Sequence, residues 1–289
     1  MEALARQSAG SAGAVLLSCV ADCVCPEIAL VRLLQAQPDV EQLRWALDRS
    51  SSQGTAELVD AVRRLIDADP DGVRRAAELL VDSQRIVEVA SWFDAAVRKS
   101  EEASVAVYSF GSAKRLESAT NEVVELLNRW GVLRAESVIL QIGCGIGRFE
   151  AALAGRVRRA HGIDVSPGMI EVARRRCRGL SNVELELCSG RDFGGFADQT
   201  FDLIYAIDSF PYVYEAGGSV VDTHFREARR LLGPHGDFVI FNFSYRGDLG
   251  ADRRDLERLA KLWGFDVLRN GERPLCTWDG AGFHLRVAD

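Results

Sequence analysis

The spacing of apolar positions changes once along this chain, near residue 134. Up to about residue 100 they recur at three and four, as on one face of a helix. One set is Ile28, Leu30, Val31, Leu33 and Leu34, followed by Leu43, Trp45 and Leu47. A second is Leu58, Val62, Leu65 and Ile66, and a third runs from Val73 through Leu79, Leu80, Ile86, Val89 and Phe93. Pro26 and Pro70 stand where helices start, because the first helical position needs no backbone donor. Residues 50–54 (SSSQG) read as a linker. LLQAQPDV at 33–40 resembles LIDADPDGV at 65–73. Two helical hairpins with one turn design would produce that likeness, and so would the frequent use of Pro-Asp at helix starts.

After residue 134 short β-rich runs alternate with helical ones. The pattern predicts strands at 138–142, 160–164, 183–187, 201–207, 237–243, 265–270 and 282–287. Helices are predicted at 148–157, 168–178, 223–232 and 253–263. Such alternation implies a mostly parallel seven-stranded sheet with helices on both faces. The 11-residue link between the last two strands (271–281) is too short for a crossover helix. That pair is therefore expected as an antiparallel hairpin at the sheet edge. The expected fold class is α/β, with an N-terminal all-helical domain at 1–104 and the sheet domain at 105–289. The helical domain would serve as a lid, a dimerisation surface or a docking element.

Composition narrows the function classes. The net charge is −7, and residues 1–110 hold 17 acidic against 11 basic side chains. That balance lacks the basic footprint of a nucleic-acid binder and disfavours an anionic membrane surface. No apolar run approaches the ~18 residues of a membrane span. The run at 13–21 (AGAVLLSCV) reads as buried helix, with a secretory signal as the lesser alternative. Seven cysteines, an odd number set mostly in apolar stretches, suit reduced thiols and a cytoplasmic location. Cys19, Cys23 and Cys25 form C-x3-C-x-C without a fourth metal ligand nearby, so buried thiols are expected and no metal site.

The most informative stretch is VILQIGCGIGRFEAALA at 138–154. An apolar strand enters Gly143-Cys144-Gly145-Ile146-Gly147, and a helix follows. Glycines let the chain turn sharply and let a ligand approach the backbone, while the helix start offers N–H groups to an anion. A dinucleotide loop has the spacing Gly-x-Gly-x-x-Gly; here the third glycine comes one residue early. The next unit, HGIDVSPGMIEVARRR at 161–176, is a strand ending in Asp164 and then a helix. An acid at that strand tip can accept hydrogen bonds from both hydroxyls of a ribose, although a helix cap would also explain it.

With these two units in register, residues 130–289 resemble the class I S-adenosylmethionine (SAM)-dependent methyltransferases, of the small-molecule type. CSGRDF at 188–193, FDLIYAIDSFPYV at 201–213 and EARRLLGPHGDFVIFNF at 227–243 extend the resemblance in the family's order. The resemblance implies a Rossmann-like domain with SAM as cofactor and a small-molecule methyl acceptor as partner. It implies that Gly143, Cys144 and Gly145 flank the methionine part, that Asp164, with Val165 beside it, holds the ribose, and that Asp208 lies beside the sulfonium and amino end. Met169 is expected against the adenine face. Many relatives carry an acid after the third strand for the adenine amino group; here Asp192 does that from a shifted position, or backbone groups and Arg191 replace it.

Loops after the strand C-termini line the crevice of such a sheet. Tyr212 and Tyr245 are candidates for an aromatic acceptor pocket, though core packing explains each about as well. Arg246 is a candidate partner for a substrate carboxylate, or a solvated loop charge. His224, expected at the head of the helix after strand four, is the candidate general base, and Tyr108 the second catalytic candidate, in a stretch able to fold over the cofactor. Asp208-Ser209-Phe210-Pro211-Tyr212 partly resembles the Asp-Pro-Pro-Tyr motif of amino-methylating nucleic-acid enzymes, but the acidic charge balance speaks against such a substrate. Two other functions fit the same loop: another displacement on SAM, such as cyclisation to methylthioadenosine, or a non-catalytic SAM-binding interaction protein. A homodimer is a further expectation for the helical part.

Overall fold

The computed structural model describes residue 20 and residues 25–37, 39–48, 56–83 and 89–288. The linker at 50–54, Cys19, Cys23, Ile86 and all of the 13–21 run but Val20 fall outside it, as do the side chains of Trp45, Leu79 and Leu80. The described chain forms two compact units. One comprises Met1–Glu88, Ala95–Ala119 and Cys276–Asp279, and the other Val89–Asp94, Thr120–Leu275 and Gly280–Asp289. Among the described residues no helix is long and apolar enough to cross a membrane.

The first unit is helical: α1 (Pro26–Ala36), α2 (Val40–Asp48), α3 (Ala56–Ala68), α4 (Pro70–Ser83), the last five residues of α5 (Val89–Lys99), α6 (Glu101–Val105) and the start of α7 (Ala113–Arg129). The predicted apolar stripes make its core. Leu30, Leu33 and Leu34 of α1 meet Val62 and Ile66 of α3, and all five are inaccessible to water. The two Pro-Asp turns differ in detail. Asp39, which follows its proline, accepts the N–H groups of Glu41 and Gln42. Asp69, which precedes its proline, accepts that of Gly72. The likeness of 33–40 to 65–73 is thus one of composition, with different residues capping the two helices. Cys25 is buried; its thiol donates to Glu27 and the Thr277 carbonyl, and burial pushes its pKa up to about 12, so it stays protonated.

The second unit is built on seven strands: β1 (Val138–Ile142), β2 (Arg159–Asp164), β3 (Val183–Leu187), β4 (Phe201–Ile207), β5 (Leu232–Phe241), β6 (Phe265–Glu272) and β7 (Gly282–Val287). Between them lie α8 (Arg148–Leu153), α9 (Pro167–Arg176), α10 (Phe210–Glu215), α11 (Gly218–Leu231) and α12 (Leu249–Trp263). Their order across the sheet is β3-β2-β1-β4-β5-β7-β6. All neighbours are parallel except β5–β7 and β6–β7. The expected antiparallel edge hairpin is present, with β6 outermost.

Every β1 residue is buried, as a strand covered on both faces requires. Leu140, Ile204, Phe238 and Phe283 pack on one face with Phe225 of α11 and Leu256 of α12. Cys144, Ile170, Ala173 and Leu185 form a smaller cluster with α9 on the other. The strand order reverses between β1 and β4, and in open sheets of this kind ligands bind outside the C-terminal strand ends at such a reversal.

Candidate functional site

Three loops meet at that reversal. The first follows β1, where Gly143, Gly145 and Gly147 have φ of 68°, 53° and 71°. These left-handed values are cheap only for glycine. Gly143 carries a second constraint: a Cβ there would lie 2.4 Å from the Ser209 Cβ. The loop after β4 therefore rests directly on the glycine, and the Ser209 hydroxyl fastens it by donating to the Ile142 carbonyl.

The second loop follows β2. Asp164 is 7% exposed, and its carboxylate braces the first loop to its own. Oδ2 accepts the Gly145 N–H at 2.8 Å and Oδ1 the Ser166 N–H at 2.9 Å. Burial pushes its pKa up, N–H groups from Ser166, Gly145 and Val165 pull it down, and the charge of Asp94 adds to the upward side. Each oxygen keeps a second acceptor position for a hydroxyl donor. Val165 is half-buried beside it. Met169 is 1% exposed in α9, and its N–H donates to the Ser166 hydroxyl, which caps that helix.

The third loop follows β4. Asp208 takes φ of 58°, and Oδ1 accepts from Asn242 Nδ2 at 2.8 Å and Tyr245 Oη at 2.9 Å. The Tyr212 ring lies edge-on between Phe93 (5.3 Å) and Tyr245 (5.7 Å). Burial, with Asp208 adding to it, raises the Tyr212 hydroxyl well above its usual pKa. After β3, Arg191 and Asp192 are both exposed. Asp192 accepts the Gly194 N–H at 3.2 Å within its own turn.

Gly143, Gly145, Asp164, Val165 and Asp208, with Tyr212 in α10 and Tyr245 after β5, thus gather at the C-terminal ends of the central strands. Cys144 contributes backbone there; its side chain is buried in the cluster with Ile170 and Cys177.

Three expectations take a different form in the structure. His224 does not head its helix: α11 begins at Gly218, and His224 lies in its second turn, 2% exposed. Its Nδ1 faces the Val220 carbonyl at 2.9 Å, Phe193 and Phe210 close on the ring, and burial lowers its pKa. It is neutral and packed in the core. Arg246 is held by Asp252 and Asp255, each at 2.8 Å, and by the Tyr214 hydroxyl at 2.7 Å, so its charge is spent within the chain. Tyr108 belongs to the helical unit, stacked on Trp278 and lining a cavity of about 690 Å³ with Lys114, Arg115 and Thr277.

A buried acid behind the first loop is not apparent from the sequence pattern. Glu150 of α8 is inaccessible, and neither carboxyl oxygen has a hydrogen-bond partner among the described residues. It lies over the row Gly162–Gln141–Tyr205, three residues directly opposite one another in β2, β1 and β4. Burial is the main cause that raises its pKa from 4.5 to about 8. Between those two values the unfolded chain loses the proton that the folded chain keeps. Folded stability should therefore fall as pH rises through that window, at a slope approaching about 1.4 kcal/mol per unit. Melting temperatures at pH 6 and pH 8 are expected to differ more for wild type than for Glu150→Gln, which stays neutral throughout.

Comparison with known proteins agrees with this geometry. Residues 139–236 match the family model described as a methyltransferase domain. A demethylmenaquinone methyltransferase from Tropheryma whipplei is 34% identical over 142 residues, 47% of this chain and 56% of that protein. A wheat (Triticum aestivum) phosphoethanolamine N-methyltransferase is 30% identical over 175 residues, 59% of this chain and 32% of that protein. The chain thus spans about half the length, or less, of these curated relatives. In fold it is similar to a Haemonchus contortus phosphoethanolamine N-methyltransferase, with a TM-score of 0.54 at 16% identity, covering 75% of this chain and 50% of that one. The family match covers residues 139–236, 98 of the 289 in the chain, and lies within the sheet unit.

Proposed function

We propose that this protein transfers the methyl group of SAM to a small-molecule acceptor. The observation that carries the reading is the pairing of the glycine loop with Asp164 at the C-terminal ends of β1 and β2, beside the strand-order reversal. The residues fit the cofactor. The loop brings bare backbone to the crevice, and Asp164 offers a rigid, buried carboxylate to two vicinal hydroxyls. When bound, SAM supplies a methyl group on a positively charged sulfur, open to in-line displacement.

The chain's own part is then to align and to dehydrate. Asp208, fixed by Asn242 and Tyr245, places a carboxylate where the cofactor's cationic end is expected. Tyr212 and Tyr245 wall the adjoining space. Arg191 and Asp192, on the loop after β3, remain the candidates beside the adenine. No protein base is assigned, because His224 is packed away and an acceptor that arrives ionised needs none. The relatives named above act on a quinone precursor and on phosphoethanolamine. That supports a small acceptor, as does the acidic charge balance.

The test is product analysis after incubation with SAM and a panel of quinols, phenols and amines. S-adenosylhomocysteine with a methylated acceptor is the expected result. Methylthioadenosine would mean displacement at another carbon of SAM. Tight SAM binding without turnover of any acceptor would favour a sensing role.

A further inference from the structure

Residues 89–94, the first six of α5, cluster with the sheet unit, whereas the chain up to Glu88 and from Ala95 clusters with the helical unit. Two of the six grip the sheet's C-terminal edge at separate points. Asp94 Oδ1 accepts the Gly168 N–H at 2.8 Å and the Ser166 hydroxyl. Gly168 is the second residue of α9, and the Ser166 hydroxyl accepts the N–H of Met169, the third. The start of α9 is therefore capped twice, once by its own serine and once by a carboxylate 72 residues earlier in the chain. Phe93 supplies the second grip, edge-on to Tyr212 of α10, with Trp92 packed on Phe93 at 4.6 Å.

Ser166 follows β2 and Tyr212 follows β4, and β1 with its glycine loop lies between those strands. The segment thus reaches from one flank of the loop to the other. The first grip also bears on the ribose acid: Asp94 fixes Ser166, and the Ser166 N–H fixes Asp164 Oδ1.

We infer that residues 89–94 form a strap across the cofactor crevice, in which Asp94 and Phe93 are positioning residues that retain bound cofactor. The inference rests on the reading of the glycine loop as a SAM site. Loosening either grip should therefore speed departure more than arrival.

The probe is tritiated S-adenosylhomocysteine on the full chain, chased with excess unlabelled ligand. Asp94→Ala should raise the dissociation rate about tenfold, the effect expected for a lost charged hydrogen bond. The association rate should change less than the dissociation rate, as is usual among variants of one interface. Asp94→Asn keeps an oxygen to accept from Gly168 and should restore most of the slow release. Phe93→Ala, which leaves the cap intact, should also speed release. Variants that melt at lower temperature yet release ligand at the wild-type rate would overturn the strap and leave the SAM site standing. No binding of the probe by wild type would overturn both.

Discussion

Asp164→Ala is expected to weaken S-adenosylhomocysteine binding by roughly 2 kcal/mol or more, about thirtyfold in Kd, while the protein stays folded. The carboxylate has two tasks. It would accept the ribose hydroxyls, and it already ties Gly145 to Ser166. Alanine removes both, so the loss combines ligand hydrogen bonds to a charged group with loosening of the glycine loop. Asp164→Asn separates the tasks. Its single oxygen can serve one of the two N–H groups, while its NH2 confronts the other as a second donor. Its affinity should fall between those of wild type and alanine. Calorimetric titration gives the affinities, and thermal melts show that the fold is retained.

Gly143→Ala should be the most damaging single methyl in the domain. Alanine at φ of 68° carries left-handed strain of about 1–2 kcal/mol. Its Cβ would sit 2.4 Å from the Ser209 Cβ, an atom that no side-chain rotation can move. The β4 loop would have to lift from the β1 loop, adding ~1–3 kcal/mol of overpacking. A lower melting temperature and loss of measurable cofactor binding are expected together. Adding Ser209→Gly should return the packing share and leave the backbone strain. A double variant no better than Gly143→Ala would mean that the contact is not the source of the damage.

The sequence was most legible where one physical rule dominates. Buried parallel strands are short apolar runs, and β1 and β4 occupy the predicted residues, as do the partly exposed β3 and the antiparallel β7. The glycine loop and Asp164 are equally local, since a strand, a turn and a helix in succession fix where both must lie. Helix α10 was missed because Asp208-Ser209-Phe210-Pro211 reads as a loop motif. Pro211 in the first turn of a helix was the overlooked sign. The same misjudgement displaced His224: α11 starts five residues earlier than the predicted 223, so the histidine turns inward beside Phe210.

Other features rest on contacts that no local pattern carries. Asp94 and Phe93 lie in an ordinary amphipathic stretch and gain meaning only through Ser166, Gly168 and Tyr212. Glu150 looks like a first-turn helix acid, normally solvated. Only the register of Gln141, Gly162 and Tyr205 beneath it reveals that it is buried. Arg246 read equally as a partner for a substrate carboxylate or as a solvated loop charge, yet the helix after it brings Asp252 and Asp255 back to it.

The central claim, that the β1 loop and Asp164 bind SAM, is tested most directly by titrating the wild-type protein with S-adenosylhomocysteine and, separately, with a nicotinamide dinucleotide. The account predicts saturable one-site binding of S-adenosylhomocysteine and none of the dinucleotide. Binding of the dinucleotide with none of S-adenosylhomocysteine would contradict it.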